Sequence, residues 1–174
     1  MTGNKEKIVL FLMGQEDKEK LWDLSEHEEK RSKNQNSYYR KLIGELARRT
    51  KVSSNEIHNR YLRHLGLVWR VNGKVVTTYV PDTDEGERWA LEAETYHIKP
   101  TSSVMVGKDG MTYRCYVVLR GSSTFTVAEF SALVDLAAQD AKEQGIETMT
   151  PAELAHLREL ERRAEERRCA TTET

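Results

Sequence analysis

The chain has few cysteines and no long apolar run. Cys115 and Cys169 are its two cysteines, and they lie far apart without the spacing of metal ligands. A disulfide framework and a zinc-binding module are therefore not expected, and a reducing cytoplasm fits best. The one continuous apolar run, 8–13, is too short to span a bilayer and lacks the cleavage site of a secretory signal. We expect it to form a buried first strand, with no membrane association.

An excess of charge of either sign is also missing. Lys and Arg number 27 while Asp and Glu number 28, so the total charge is uninformative about nucleic acid. The distribution is uneven, however. Residues 15–29 hold seven acids and two lysines, which predicts a short acidic helix, whereas 30–63 hold ten basic residues and two acids. This concentrated basic segment is the informative feature.

Signatures of catalysis are scarce. The sequence has no phosphate-binding glycine loop, no nucleophile elbow and no closely spaced zinc ligands. His58 and His64 fall on one predicted helix, but six residues turn them roughly 120° apart. His27, His97 and His156 are isolated, which favours solvated or hydrogen-bonded surface positions. We therefore expect a protein without enzymatic activity, cofactor or metal.

Capping boxes, in which Ser or Thr is followed three residues later by Glu or Gln, mark the helix starts. Four such boxes predict helices over 32–49, 53–65 and 126–144, and from Thr150 onward. A further helix is predicted over 84–96. From Arg158 the chain is almost wholly Glu and Arg, which indicates a charged helix that extends from the body or packs on a partner.

Two β-hairpins are predicted between these helices. The runs 67–71 and 74–80 flank Asn72-Gly73, a pair suited to a type I′ turn. A second hairpin over 104–119 is expected to turn at 108–110. The pattern predicts an α+β fold, in which short antiparallel hairpins pack with several amphipathic helices.

The chain is expected to divide into one domain and an appended segment. Residues 1–148 are predicted to form the domain, and 149–174 the charged C-terminal helix and tail. Because the hairpin edges need cover and the tail has only a thin apolar stripe, we expect a homodimer.

The helix predicted over 32–49 has two contrasting faces. One side is an apolar stripe that we expect to be buried, formed by Tyr39, Leu42, Ile43 and Leu46. The opposite side is polar and cationic, formed by Ser37, Lys41, Gly44 and Arg48. Arg31 and Lys33 stand at the helix start, where backbone N–H groups and the helix dipole favour a phosphate. This arrangement favours a nucleic-acid surface over an ordinary solvated face.

The neighbours of the cationic side have two interpretations each. Tyr38 is a candidate for stacking on a base, with packing at the edge of the core as the alternative. Gln35 and Asn36 fall toward the apolar flank, where tying the helix to a neighbouring loop competes with base contact.

Two segments resemble the NinB (Orf) family of phage recombination proteins. The first is 31–42, with its Arg-Ser-x-x-Gln-Asn opening, and the second is the strand, Ser/Thr-rich turn and Val-x-Glu-Phe helix over 115–133. With the helix that follows, the resemblance covers about two-thirds of the chain. It implies a homodimer that binds single-stranded or gapped DNA and assists strand-annealing recombination, in contact with single-strand-binding protein. The Asn72-Gly73 hairpin and the Arg/Glu tail match no feature of that family.

The residue assignments combine both lines of argument. The residues expected to contact DNA are Arg31, Lys33, Asn34, Tyr38, Lys41, Arg48, Ser122 and Ser123. Those expected to be structural parts of the motif are Ser32, Gln35 and Asn36. Two alternatives stay open: a metal-dependent phage nuclease, since a related opening occurs in some HNH-type nucleases, and a pure protein adaptor. The chain offers no His-Asn-His arrangement for the first of these.

Overall fold

The computed structural model describes residues 5–15, 21, 33–150, 152–157, 159 and 163. Its elements are α1 (Lys5–Met13), α2 (Lys33–Thr50), α3 (Ser54–Leu65), β1 (Arg70–Val71), β2 (Lys74–Val75), β3 (Thr77–Pro81), α4 (Asp84–Glu92), β4 (Ile98–Val106), β5 (Thr112–Val118) and α5 (Val127–Glu143). A single 3-10 turn, Ser122–Thr124, joins β5 to α5, and residues 152–157 are helical. Helices and small antiparallel sheets confirm the α+β class.

Side-chain caps fix where the helices begin. The predicted caps at Ser53, Thr126 and Thr150 are confirmed, while Ser32 lies outside the described residues. At Thr126 the hydroxyl accepts from the backbone N–H of Glu129 at 3.2 Å, and the Glu129 carboxylate accepts from the backbone N–H of Thr126 at 2.8 Å. These bonds satisfy donors that the first helical turn leaves without partners.

Both predicted hairpins form, although the first spans only 70–75 instead of 67–80, because Thr77–Pro81 pairs with β5. Strands β1 and β2 pair around Asn72 (φ 49°) and Gly73 (φ 77°), the positive φ values that a type I′ turn requires. The second hairpin is longer than predicted, because β4 begins at Ile98 and its register against β5 shifts between Pro100 and Val104. Strand β3 pairs with the other side of β5, which completes a sheet of order β3-β5-β4.

The N-terminal apolar run is helical, so the prediction of a buried first strand over 8–13 is wrong. This run lies in α1, which has no buried residue and in which Leu10 is 70% exposed. Apolar runs of this length suit a helix as well as a strand, and Leu and Met favour the helix where no neighbouring strand is available. The predicted acidic helix over 15–29 lies almost entirely outside the described residues. Among the described helices, none is long and apolar enough to cross a membrane.

The main hydrophobic core lies between α2, α3 and α5. Leu42, Leu62 and Leu133 are at most 1% exposed in it, and Leu154 from the start of the C-terminal helix joins them. The segment beginning at residue 149 is therefore packed on the domain at its start. A smaller core between the sheet and α4 consists of Val80, Ala90, Ile98 and Tyr116.

A buried asparagine joins α3 to the end of α4. Asn59 is 2% exposed, and its amide nitrogen donates to the carbonyls of Leu91 at 2.7 Å and Ala93 at 2.8 Å. These carbonyls belong to the last turn of α4 and the residue that follows it, where no intrahelical donor is available. One amide thus satisfies two carbonyls and sets the position of α4.

Replacing Asn59→Ala should lower the free energy of unfolding by about 2–3 kcal/mol, because buried carbonyls lose their donor. Asn55→Ala is the matched control on the same helix: Asn55 is exposed and donates to the Glu92 carbonyl at 3.3 Å. Its loss should cost about 0.5 kcal/mol or less. Urea unfolding of both variants measures the difference, and equal costs would contradict the role given to Asn59.

Candidate nucleic-acid interface

Helix α2 buries one side as its periodicity requires. The predicted stripe is confirmed, since Tyr39, Leu42, Ile43 and Leu46 are all at most 6% exposed. Gln35, one turn earlier on the same side, is 2% exposed, and Asn36 is half-buried. Burial of Gln35 rules out base contact by this side chain and agrees with its structural assignment.

The opposite side of α2 faces solvent. Ser37, Lys41 and Arg48 are exposed there, and Gly44 lies between the two cations. Arg40 is also exposed and, by helix periodicity, lies on the same side. We call the surface formed by Ser37, Arg40, Lys41, Gly44 and Arg48 the cationic face. The sequence argument missed Arg40, although the helical wheel from which the other residues were found includes it.

The charges of this face are largely uncompensated within the described part of the chain. Elsewhere many arginines are neutralised by carboxylates, in the pairs Arg60–Glu56, Arg63–Glu87, Arg114–Asp82 and Arg120–Glu129. Arg40 and Lys41 make no ion pair with any described residue. Arg48 contacts Glu45 at 2.6 Å, but its side chain is 73% exposed and in high-dielectric surroundings such a pair is weak. The face therefore presents most of its positive charge to solvent.

Gly44 has no packing role in α2. A Cβ built at this position meets no described atom within 4 Å, and the residue lies in the helix interior. Glycine there costs about 0.5–1 kcal/mol relative to alanine, because the unfolded chain loses more backbone freedom. Nothing in the fold offsets that cost. The glycine does leave a flat spot between Arg40 and Arg48, where a ligand backbone can approach the helix closely.

Tyr38 does not stack on an external base, which corrects one of the two interpretations given to it. The residue is 7% exposed, and its hydroxyl accepts a hydrogen bond from the backbone N–H of Met149 at 2.9 Å. The alternative, packing at the edge of the core, is correct. Its partner lies 111 residues away, so no local pattern around Tyr38 could reveal it.

A groove of mixed charge runs beside the cationic face. It has a volume of about 930 Å³ and lies between α2 and residues 146–157. Asn34, Ser37 and Lys41 contribute to one wall, while Glu147 and Glu153 line the other. With Glu45 on the α2 wall, three carboxylates line the groove against one lysine, which makes it unfavourable for phosphates.

The residues assigned to DNA contact from the sequence do not all lie on one surface of the described structure. Arg31 and Ser32 lie outside the described residues, as does the side chain of Lys33. Ser122 and Ser123 stand on the 3-10 turn after Gly121, where an added Cβ would lie 3.4 Å from the ring of His97. That ring packs on His58, which in turn packs on Tyr39 of the buried stripe. This turn therefore belongs to the buried side of α2, away from the cationic face.

Sequence reasoning missed a contact between two histidines, of which His97 is buried and His58 is half-buried. The rings of His58 and His97 lie edge to face with centroids 5.5 Å apart, and the Nδ1 atom of His58 is 2.6 Å from the hydroxyl of Tyr39. His97, predicted to be at the surface, is 9% exposed. Its Nδ1 lies 2.6 Å from Oδ1 of Asn59. Because the Asn59 nitrogen is already donating to carbonyls, its oxygen faces His97, and His97 therefore carries its proton on Nδ1.

Desolvation favours the neutral form of both rings. Desolvation and the neighbouring His97 lower the pKa of His58 to about 4, and desolvation lowers the pKa of His97. The predicted helix partner His64 is exposed and takes no part in this pair. Within the described residues, no group of three or more His, Cys, Asp or Glu side chains is arranged to hold a metal ion.

In comparisons with known proteins, no family model, no curated protein and no solved structure matches this chain. The resemblance drawn from the two sequence segments accordingly rests on those segments alone. The geometry of the cationic face is the independent basis for a function.

His58 and His97 make folding dependent on pH. Their pKa values in the folded state lie below the ordinary value of about 6.5, so below that pH the unfolded chain binds more protons. The free energy of unfolding should be constant above about pH 7 and fall by about 3 kcal/mol through His58 as the pH drops toward 4, with a further fall through His97. His58→Gln should flatten the curve measured by urea unfolding. The control His64→Gln, at an exposed position, should leave the shape of this pH curve unchanged. Equal effects of the two substitutions would contradict the lowered pKa of His58.

Proposed function

We propose that this protein binds single-stranded DNA along the cationic face of α2, as an accessory protein of phage-type recombination. The observation that carries the binding proposal is the exposed, largely uncompensated charge of Arg40, Lys41 and Arg48 around Gly44. Phosphates along a nucleic-acid strand are the ligand that such a row of cations suits best, because their neutralisation releases condensed counterions.

The dimensions of the face suit an extended strand. Arg40 and Arg48 are eight residues apart, which corresponds to about 12 Å along a helix. A strand lying along this line contacts a few successive phosphates. At Gly44, midway between them, no side chain keeps the strand away from the helix.

The face supplies phosphate contacts rather than base contacts. Tyr38 is buried, and the described part of the cationic face carries no other aromatic ring. Phosphate contacts hold a strand without reading its sequence. We therefore expect binding with little base preference.

The recombination role and the partners come from the resemblance to the NinB family. We propose that the protein acts on single-stranded or gapped DNA as a homodimer, together with strand-annealing machinery and single-strand-binding protein. Two copies of the cationic face on one strand would raise avidity without new contacts. Light scattering that reports a monomer at micromolar concentration with undiminished DNA affinity would contradict the dimer.

The double variant Lys41→Ala/Arg48→Ala should flatten the dependence of DNA affinity on salt. Each lost phosphate contact lowers the log-log slope by about 0.7 for a single strand. Fluorescence anisotropy with a labelled oligonucleotide at several salt concentrations measures the slope.

Arg60→Ala is the matched control for this variant, because Arg60 is exposed on α3 but already paired with Glu56 at 2.6 Å. Its slope should equal that of the wild type. A double variant with an unchanged slope would remove the cationic face from the DNA-binding surface. Degradation of the oligonucleotide by the pure protein in the presence of magnesium would instead favour the nuclease alternative.

Gly44→Gln separates stability from binding. Glutamine is a better helix former than glycine and meets open space here, so thermal unfolding should show a gain of about 0.5 kcal/mol. The same side chain covers the flat spot, so DNA affinity should fall. Ser37→Gln, on the rim of the same face, tests whether a larger side chain anywhere on the face lowers DNA affinity. A stabilised variant with full DNA affinity would show that strands do not approach α2 at Gly44.

A further inference from the structure

Two aromatic rings lie in contact on the surface beyond α3. Trp89 on α4 is 55% exposed and Tyr96 in the loop after α4 is 38% exposed, with ring centroids 6.5 Å apart. Each ring leaves much of its area in water, although burying aromatic area is among the largest stabilising terms available to a fold. Packing in the described chain therefore does not account for this pair.

Three glutamates lie close in sequence to the two rings. Glu85 and Glu92 are four residues before and three residues after Trp89, so all three lie on neighbouring positions of one helix side. Glu94 is two residues from Tyr96, and all three glutamates are exposed. None of them makes an ion pair with any residue in the described ranges. We call Glu85, Trp89, Glu92, Glu94 and Tyr96 the acidic aromatic patch.

The charge balance of the patch is negative. Arg88 is the nearest cation in sequence and is also exposed, so three carboxylates stand beside one guanidinium. A nucleic acid is repelled by such a surface. A cation is attracted both by the carboxylates and by the negative faces of the aromatic rings, and the indole of Trp is the strongest binder among such rings.

We infer that the acidic aromatic patch binds a basic peptide segment of a partner protein, with an arginine or lysine side chain over the ring of Trp89. Arginine fits best, since its planar guanidinium stacks on an aromatic ring while donating to a carboxylate. The charge complementarity of the patch selects this occupant. The inference is independent of DNA binding, because no residue of the patch belongs to the cationic face.

A labelled octa-arginine peptide tests the inference, with an octa-citrulline peptide as its neutral counterpart of similar shape. Fluorescence anisotropy should show binding of the arginine peptide alone, weakening as salt rises. Trp89→Ala should weaken it roughly tenfold, as expected for an aromatic residue at the centre of an interface. Glu85→Gln/Glu92→Gln should weaken it similarly. All these side chains are exposed, so the variants should keep the wild-type unfolding temperature.

Trp69→Ala is the matched control, because Trp69 is a second exposed tryptophan, at 41%, outside the patch. It should bind octa-arginine as the wild type does. Equal binding by Trp89→Ala and Trp69→Ala would overturn the inference, as would equal binding of the two peptides. Sedimentation in which Trp89→Ala alone loses self-association would also overturn it, since the patch would then hold a second copy of this chain.

Discussion

Burial of one side of α2 in the core determines which of its side chains face solvent. Leu42 and Leu46 are nearly inaccessible between α3 and α5, and Gln35 and Tyr39 continue the same side. With 3.6 residues per turn, burial of this stripe fixes the side of the helix on which each remaining position lies. Arg40, Lys41 and Arg48 must face water whatever they bind. Burial thus explains why the cations are exposed, but it does not explain Gly44, whose missing side chain would meet only open space.

The second organising element is α3, which contacts α2 as well as α4. Asn59 on this helix ends α4 and orients His97, and His58 one residue earlier meets Tyr39 of α2. Polar groups buried without partners would cost several kcal/mol, so this network holds the three helices in one arrangement. It also holds the cationic face and the acidic aromatic patch on separate helices. Two surfaces of opposite charge can then serve different ligands.

Interactions between residues close in sequence were predicted most successfully. Thr126 and Glu129 cap each other three residues apart, and Asn72 with Gly73 makes its turn from its own backbone preferences. The buried stripe of α2 followed from periodicity alone. Four of the five residues of the cationic face followed in the same way, because positions 37, 41, 44 and 48 are those that the stripe excludes. Tyr38 lies on the boundary between the two sides, where periodicity does not decide.

The sequence by itself determined the α+β class, the helix starts at Ser53 and Thr126, the type I′ turn and the two sides of α2, because each depends on neighbours within a few residues. Only the tertiary structure decided that Tyr38 is bonded to Met149, that His58 pairs with His97 and that the run 8–13 is helical rather than a strand. A side chain's burial depends on atoms brought from distant parts of the chain, and a strand needs another strand beside it. Local pattern contains neither kind of information.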